Sequence, residues 1–488
     1  MLVSPFVAPV GGACTVARRR VYSGNIAHYG AAMRVVLIST YELGHQPFGL
    51  ASPAAWLEQA GAQVVCRDLA IQPFDPDIVA DAALVAFYLP MHTATRLAGE
   101  VIARVRAINP HAHLCAYGLY APLNESWLRA HGISTILGGE FEAGLLALYQ
   151  RLSTHPSTLP PSTQPEPRIS LAKQAFLPPA RHALPALQSY AYLALGPGQQ
   201  RTAGYTEASR GCKHSCRHCP IVPVYAGRFR VVQPAIVLED IRRQVAAGAQ
   251  HITFGDPDFF NGPGHAIPLV QALHAEFPAL TYDVTIKIEH LLRHAALLPA
   301  LRATGCLFVT SAVEAADDAI LARFAKRHTR ADFVRAAGLL REVGLALNPT
   351  FVTFTPWTTR QTYIELLELI AELGLIEHVA PIQYAIRLLI PAQSRLLELA
   401  DVRALVQPFD QAALVYPWAH PDPSIDTLYR QVLRAVKVRR NTRHEHFAEV
   451  WRLAQATLGA PPNERMQREL ARRADWRPIP HMSEPWYC

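Results

Sequence analysis

Three of the chain's eight cysteines lie close together in residues 209–220, "SRGCKHSCRHCP". Cys212, Cys216 and Cys219 are spaced C-x3-C-x2-C, with Arg210 and Gly211 before them and Pro220 after. The other five (Cys14, Cys66, Cys115, Cys306 and Cys488) are scattered, which is not the pattern of a secreted disulfide framework and fits a reducing cytosol. Clustered thiolates at short spacing hold soft metals. Structural zinc takes four ligands, usually from paired C-x2-C knuckles, so a zinc site here would need His214 or His218 as its fourth. A [4Fe–4S] cluster also normally takes four thiolates. Three on one loop leave one iron open to chelate a substrate or cofactor directly, and that is the chemistry the spacing implies.

The elements that must position such a loop follow from hydrophobic periodicity. From Met33 onward, "RVVLIS" (34–39), "AQVVCRDL" (62–69), "AALVAFYLP" (82–90), "AHLCAYG" (112–118) and "STILGG" (134–139) read as strands. Helical stretches separate them, among them 49–61, 95–110 and 140–152. This alternation predicts a doubly wound parallel sheet over 33–152, whose ligands would sit beyond the carboxyl ends of the strands. Residues 153–190 are proline-rich and read as a linker, extended over 153–168 and carrying apolar anchors over 176–187. A second alternating series over 191–395 begins with "GYTEAS" (204–209) and ends with "VAPIQYAIRLLI" (379–390). Six βα repeats predict a partial or full barrel, with the cysteine loop at its working face. Residues 396–488 read as helical and then irregular. Residues 1–32 are expected to be disordered or to precede a misplaced start, with the natural beginning at Met33.

At 488 residues, half of them apolar, large buried cores are affordable. No run approaches the roughly 18 uncharged apolar residues a membrane span needs, so no membrane is expected. The formal charge of +7 is mild for this length and does not point to nucleic acid, because no Lys/Arg block exceeds a few residues. "VKVRRNTRHEH" (436–446) reads as a solvated helix face. "ARRR" (17–20) is followed by no apolar stretch, so a secretory signal is not expected and the cytoplasm is.

The cysteine motif at the end of the first strand of a six-unit βα series resembles the radical S-adenosylmethionine (SAM) superfamily. That resemblance implies a [4Fe–4S] cluster on Cys212, Cys216 and Cys219, whose open iron binds the amino and carboxylate groups of SAM. An electron from the cluster then cleaves the C5′–S bond to give a 5′-deoxyadenosyl radical. An electron donor such as flavodoxin or ferredoxin is implied as partner. His218 stands where an aromatic carbocycle usually touches adenine. "FGDPDFFNG" (254–262) resembles the loop that holds the SAM ammonium, with Gly255 letting the backbone approach and Asp256 or Asp258 offering a carboxylate. By its residue types alone that stretch would rather be the N-terminal cap of the next helix. In "TSAVEAADDAILARFAKRHTRADF" (310–333), Glu314 is implied to face the ribose, with Ser311 beside it and Lys326 at a common basic position. Lys287 and Glu289 share one strand face, and His290 follows, as an address for a ligand or as an ion pair. Pro356 and Thr358 would flank the adenine.

The wording "RGCKHSCRHCPIVPVYAGRFR", "FGDPDFFNG" and "TIKIEHLL" is similar to the radical SAM proteins with a CUAEP or CCAEP tail. This chain stops at Cys488, which a selenocysteine codon read as stop would explain. A doubly wound domain placed before the barrel resembles cobalamin-binding domains. The loop "STYELGHQPFGL" (39–50) holds His45 but not the D-x-H-x-x-G of a histidine-ligated cobalt, so His45 reads as a plain loop residue. Gly138 and Gly139 match the Gly-Gly turn such domains use near the nucleotide tail. "AYGLYAP" (116–122) stands where a second Gly-rich turn is usual, with Tyr117 and Tyr120 narrowing the cleft.

Three functions are in view. One is a radical SAM enzyme carrying cobalamin and doing methyl transfer or rearrangement on a small molecule or peptide. Another is a cobalamin-independent enzyme acting on a peptide or a sulfur or selenium metabolite. The last is a metal-stabilised nucleic-acid-binding protein without catalysis. Tyr384, Arg387 and His378 are candidates for lining a substrate pocket, or are packed or solvated positions.

Overall fold

The structure is a computed structural model and describes residues 33–154, 164–438, 442–459, 464–471 and 479–484. The expectations for residues 1–32, for the centre of the proline-rich stretch and for Cys488 lie outside the described residues.

The N-terminal sheet comprises β1 (Arg34–Ser39), β2 (Gln63–Asp68), β3 (Leu84–Tyr88), β4 (His113–Tyr117), β5 (Thr135–Gly139) and β6 (Ile169–Ser170), all parallel, in the order β2-β1-β3-β4-β5-β6. Every residue of β3, β4 and β5 is buried, as near-continuous apolar runs covered by helices on both faces require. One face packs Val36, Val85, Ala116 and Ile136. The other packs Val35, Leu84, Cys115 and Leu137 against the helix Phe48–Gln59. The order reverses between β1 and β3, which opens a crevice at their carboxyl ends.

The second sheet is built from β7 (Tyr192–Gly196), β8 (Gln199–Thr206), β11 (His251–Phe254), β12 (Thr281–Thr285), β13 (Cys306–Glu314), β14 (Ala346–Phe351) and β15 (His481–Met482). Between β8 and β11, β9 (Ser209–Gly211) and β10 (Phe229–Val231) form a separate antiparallel ribbon. Strands β8, β11, β12, β13 and β14 run parallel in that order, a nearly closed barrel. Two edge strands were not foreseen. The Pro197–Gly198 turn folds β7 back onto β8, and β15, from the tail expected to be irregular, pairs antiparallel with β7. The sixth strand expected over 379–390 shrinks to one parallel bridge, Phe354 to Arg387. Pro381 opens a 3-10 turn, Pro381–Ala385, and Pro391 follows, so prolines without N–H groups punctuate the segment on both sides.

C-terminal helices Pro423–Ala435 and Arg443–Ala456 complete the barrel core through Ile425, Leu428, Phe447 and Trp451. Of the proline-rich stretch, residues 164–190 are held firmly: β6 extends the first sheet, and Phe176 and Leu187 are buried in the barrel core. Tyr190 donates to Asp68 across the two sheets at 2.9 Å. Tyr41 donates to Glu484 at 2.7 Å, which ties the tail to the loop after β1. No helix among the described residues is long and apolar enough to cross a membrane.

Candidate cluster and cofactor site

The β9–β10 ribbon pairs Gly211 with Phe229 and so pinches off the segment 212–228 as a loop carrying all three clustered cysteines. Asn261 clamps its root, accepting from the Lys213 amide and donating to the Gly211 carbonyl. The Arg217 amide donates to the Phe324 carbonyl at 2.9 Å, and Arg395 donates to Ser215 O at 3.2 Å. Cys216 is buried, while Cys212 and Cys219 are half-buried. Burial pushes the Cys212 thiol up to about 11 and the Cys219 thiol up to about 12, and Cys216 adds to both rises. The ammonium of Lys287 opposes the first rise and that of Lys326 the second. Such thiols stay protonated until a metal takes them. The remaining described cysteines, Cys66, Cys115 and Cys306, are buried in the two cores, so among the described residues this loop meets no fourth thiol. The donor set therefore fits a cluster with one iron left open.

Glu314 ends β13 in an unusual way. The pairing with β14 slips between Ala312 and Glu314, and Glu314 sits at φ +71°, a strained angle for a side chain with a Cβ. The slip aims its carboxylate at Lys326 (3.1 Å) and His218 (3.0 Å). Burial opposes ionisation, but Lys326 and His218 outweigh it and hold the carboxyl far below the usual carboxylate range. His218 also lies 4.5 Å from the Phe324 ring, so the residue before the third cysteine is fixed on two sides. Ser311 is fully buried, and its Oγ has no hydrogen-bond partner among the described residues. Glu314, Thr353, Thr358 and Tyr363 line one cleft. These five sequence-derived positions, Cys219, His218, Glu314, Lys326 and Thr358, thus belong to one neighbourhood.

The loop after β11 is used differently by each of its residues. At Gly255 a Cβ would stand 1.9 Å from the Tyr205 hydroxyl, so the missing side chain makes room for a tyrosine of β8. Gly255→Ala is expected to destabilise by about 1–3 kcal/mol through overpacking. In a Tyr205→Ala background the same change should cost far less; denaturant unfolding of the four proteins measures the coupling. Asp256 accepts from the Ala208 amide at 2.8 Å and from Ser209 Oγ at 2.5 Å, bracing the approach to the cysteines. Burial pushes its carboxyl up to about 7. Asp258 caps the turn Phe259–Asn261 through Oδ1, which is the helix-cap geometry its residue type predicts.

Lys287 and Glu289 do not share a strand face as expected, because β12 ends at Thr285: Lys287 is the N-cap of the helix Ile288–Arg293, Glu289 lies in its first turn, and Lys287 donates to Glu289 and to His214 Nδ1, each at 3.1 Å. The His214 ring is buried and lies 4.6 Å from that of His290. Sequence reasoning missed part of the barrel's interior. His251 and Thr253 both meet Asp283 Oδ1, at 2.9 and 2.7 Å. Asp283 was legible in "TYDVT", where Thr281, Asp283 and Thr285 alternate with the core residues Tyr282 and Val284. His45 reaches this layer from the loop after β1, stacked on Tyr205 at 4.8 Å, and burial lowers its imidazole to about 4. The remaining pocket candidates are packed. His378 meets Leu347 O, Tyr384 is fully buried against Phe447, and Arg387 pairs with Asp426 and lies 3.7 Å over Trp418.

The carboxyl edge of the N-terminal sheet faces the root of the cysteine loop. Arg210, two residues before Cys212 and 7% exposed, makes a bidentate pair with Glu142 at 2.7 and 2.9 Å. It also bonds Glu207 at 2.5 Å and lies 3.7 Å from Glu140. Arg181 adds a second clamp, bidentate to Asp240 and bonded to the Tyr205 carbonyl. Gly138 and Gly139 admit close packing by the chain itself: a Cβ would stand 2.5 Å from Pro122 at the first and 2.2 Å from the Ser170 carbonyl at the second. Tyr88, Tyr117 and Phe141 pack ring against ring in the same region. Ser39 Oγ and Glu42 Oε2 are buried there without hydrogen-bond partners among the described residues, and Glu140 Oε2 has only its ion pair with Arg210, so this edge offers polar groups of the kind a bound ligand satisfies.

Comparison with known proteins agrees with this geometry. Residues 206–373 match the Radical SAM superfamily. A tRNA-2-methylthio-N(6)-dimethylallyladenosine synthase of Desulfosudis oleivorans is 27% identical over 208 residues, covering 41% of this chain and 44% of that one. The hopanoid C-3 methylase of Methylococcus capsulatus is 24% identical over 351 residues, 67% of this chain and 65% of that one. The chain thus spans under two thirds of the length of these relatives. Among solved structures, the radical SAM methyltransferase TsrM of Kitasatospora setae, bound to tryptophan and a SAM analogue, aligns with a TM-score of 0.59 at 18% identity over 77% of each chain. The cobalamin-dependent SAM radical enzyme OxsB, bound to aqua-cobalamin and SAM, aligns with a TM-score of 0.64 at 12% identity, over 82% of this chain and 66% of that one.

Proposed function

We propose that this protein, a radical SAM enzyme by its domain at residues 206–373, is a cobalamin-dependent enzyme that transfers a methyl group to, or rearranges, a small-molecule or peptide substrate. The observation that carries the proposal is the gathering of three thiols, and no fourth among the described residues, on one loop facing a doubly wound sheet whose carboxyl edge holds unpartnered polar groups. Cys212, Cys216 and Cys219 would hold the cluster, which would supply the electron for reductive cleavage of SAM to methionine and a 5′-deoxyadenosyl radical. The chain's own residues bind and orient. Glu314, pre-aimed by the slip in β13 and kept ionised by Lys326 and His218, accepts from the ribose hydroxyls. Ser311 offers a neighbouring hydroxyl. Of the two carboxylates offered to the SAM ammonium, Asp256 has both oxygens engaged with Ala208 and Ser209, and Asp258 has Oδ1 on the Phe260 amide and Oδ2 beside His214 and His290. Lys287 stands beside Asp258 through His214. A flavodoxin- or ferredoxin-like protein is the electron donor.

Glu314→Gln is expected to leave the iron content unchanged and to weaken SAM binding by about 10-fold or more, as loss of a hydrogen bond to a charged group costs about 1.5–3 kcal/mol. Equilibrium dialysis of SAM on the reconstituted protein measures it.

Cobalamin, when bound, supplies a methyl group carried on cobalt. The crevice beyond β1 and β3 would hold it, with Ser39, Glu42 and Glu140 as polar contacts, while His45 is stacked on Tyr205. A second reading, without cobalamin, draws on the rings of Tyr88, Tyr117 and Phe141, which pack together at the same edge. Cobalt analysis after anaerobic purification with hydroxocobalamin separates the two. One cobalt per chain supports the first; full iron with no cobalt supports the second.

A further inference from the structure

Around Cys212 there is a second set of ligand atoms, of which the cluster would use only the thiol. Cys212 Sγ, a ring nitrogen of His214 and a carboxylate oxygen of Asp258 lie within 4.8 Å of one another. His214 Nε2 is 3.2 Å from Asp258 Oδ2, and His290 Nδ1 approaches the same oxygen at 2.7 Å. His214, Asp258 and His290 are each at least nine-tenths buried. The Asp258 carboxylate thus lies between two imidazoles, and together with the Cys212 thiol and His214 it brings soft and hard donor atoms from two loops within the span of one coordination sphere. On the far side of the ring, Lys287 Nζ lies 3.1 Å and Glu289 Oε2 3.6 Å from His214 Nδ1. Asp258 Oδ1 is fixed by the Phe260 amide.

We propose that the cluster-free protein holds one divalent transition-metal ion on Cys212, His214 and Asp258. The mixed thiolate, imidazole and carboxylate set suits zinc or ferrous iron over magnesium or calcium. One thiolate serves both sites, so the ion and the cluster exclude each other at Cys212. The site is where a first iron would be received during assembly, and where zinc would block it. This inference is independent of SAM chemistry and survives or fails without it.

The test uses full-length protein, stripped of iron and reduced, with cobalt(II) as the only added metal. One equivalent should bind with tetrahedral ligand-field bands and a thiolate-to-cobalt charge-transfer band. Cys212→Ser should abolish the charge-transfer band. His214→Ala and Asp258→Asn should each weaken binding by about 10-fold or more. The Cys216→Ala/Cys219→Ala double variant should bind as the parent does. Asp258→Asn is isosteric and guards against misfolding of the histidine variant. One equivalent of zinc added before iron and sulfide should suppress cluster formation in the parent and not in Asp258→Asn. Cobalt that is lost in the double cysteine variant but kept in Asp258→Asn, or no stoichiometric binding by the parent, overturns the proposal.

Discussion

Cys216→Ala is expected to leave a folded protein that assembles no stable cluster, with SAM cleavage down by more than about 100-fold. Loss of even an outer partner of a metal ligand costs about 10–100-fold, and Cys216 is a ligand itself. It is the most buried of the three thiols and interacts electrostatically with both of the others. Removing it therefore leaves two half-buried thiols that cannot hold a cubane. Iron and sulfide analysis with electron paramagnetic resonance of the reduced protein measures the loss. The same substitution at Cys66, Cys115 or Cys306 should not touch the cluster, since these pack in the hydrophobic cores.

Arg210→Met carries the second large effect, on stability. Arg210 is the shared cation of Glu142, Glu207 and Glu140, and lies 4.7 Å from the Phe141 ring centroid. Removing one member of a buried ion network costs about 3–5 kcal/mol because its partners are left uncompensated. The defect should depend on pH in a set direction. Burial already raises Glu140 to about 7 and raises Glu207, and loss of the guanidinium raises both further. Carboxyls raised in the folded state contribute most below their unfolded values, near pH 4, and lose that contribution as pH climbs through the folded values. The variant should therefore be worse relative to the parent at pH 8 than at pH 5.5. Urea unfolding at the two pH values measures this. Because Arg210 is two residues from Cys212, cluster content at pH 8 should fall in parallel.

Much of this was legible in the sequence. Strand β3, "LVAFY", is a short unbroken apolar run rich in β-forming residues, the pattern of a strand buried on both faces. The spacing of Cys212, Cys216 and Cys219 pointed to a metal, and the structure gathers the three on one loop. What the sequence did not disclose depends on contacts between distant segments. Arg210 looked like a flank of the cysteine motif; its partner Glu142 is 68 residues away. Glu314 was reached by resemblance, but its left-handed backbone comes from a slip against β14 that no local pattern encodes. The strand β15 has two residues and a partner nearly 300 positions earlier, so periodicity gives it no signal. Gly138 and Gly139 were read for a cofactor's tail, and the structure gives each a neighbour in the chain that needs the space. His45, read as a plain loop residue, is drawn in against the barrel by Tyr205.

The central claim is that three cysteines hold a cluster whose remaining iron is free to grip SAM. Its most direct measurement is anaerobic incubation of the iron- and sulfide-reconstituted, dithionite-reduced protein with SAM, followed by quantification of 5′-deoxyadenosine. The account predicts 5′-deoxyadenosine with reductant, and none from the Cys216→Ala protein. A fully iron-loaded, reduced protein that leaves SAM intact would contradict it.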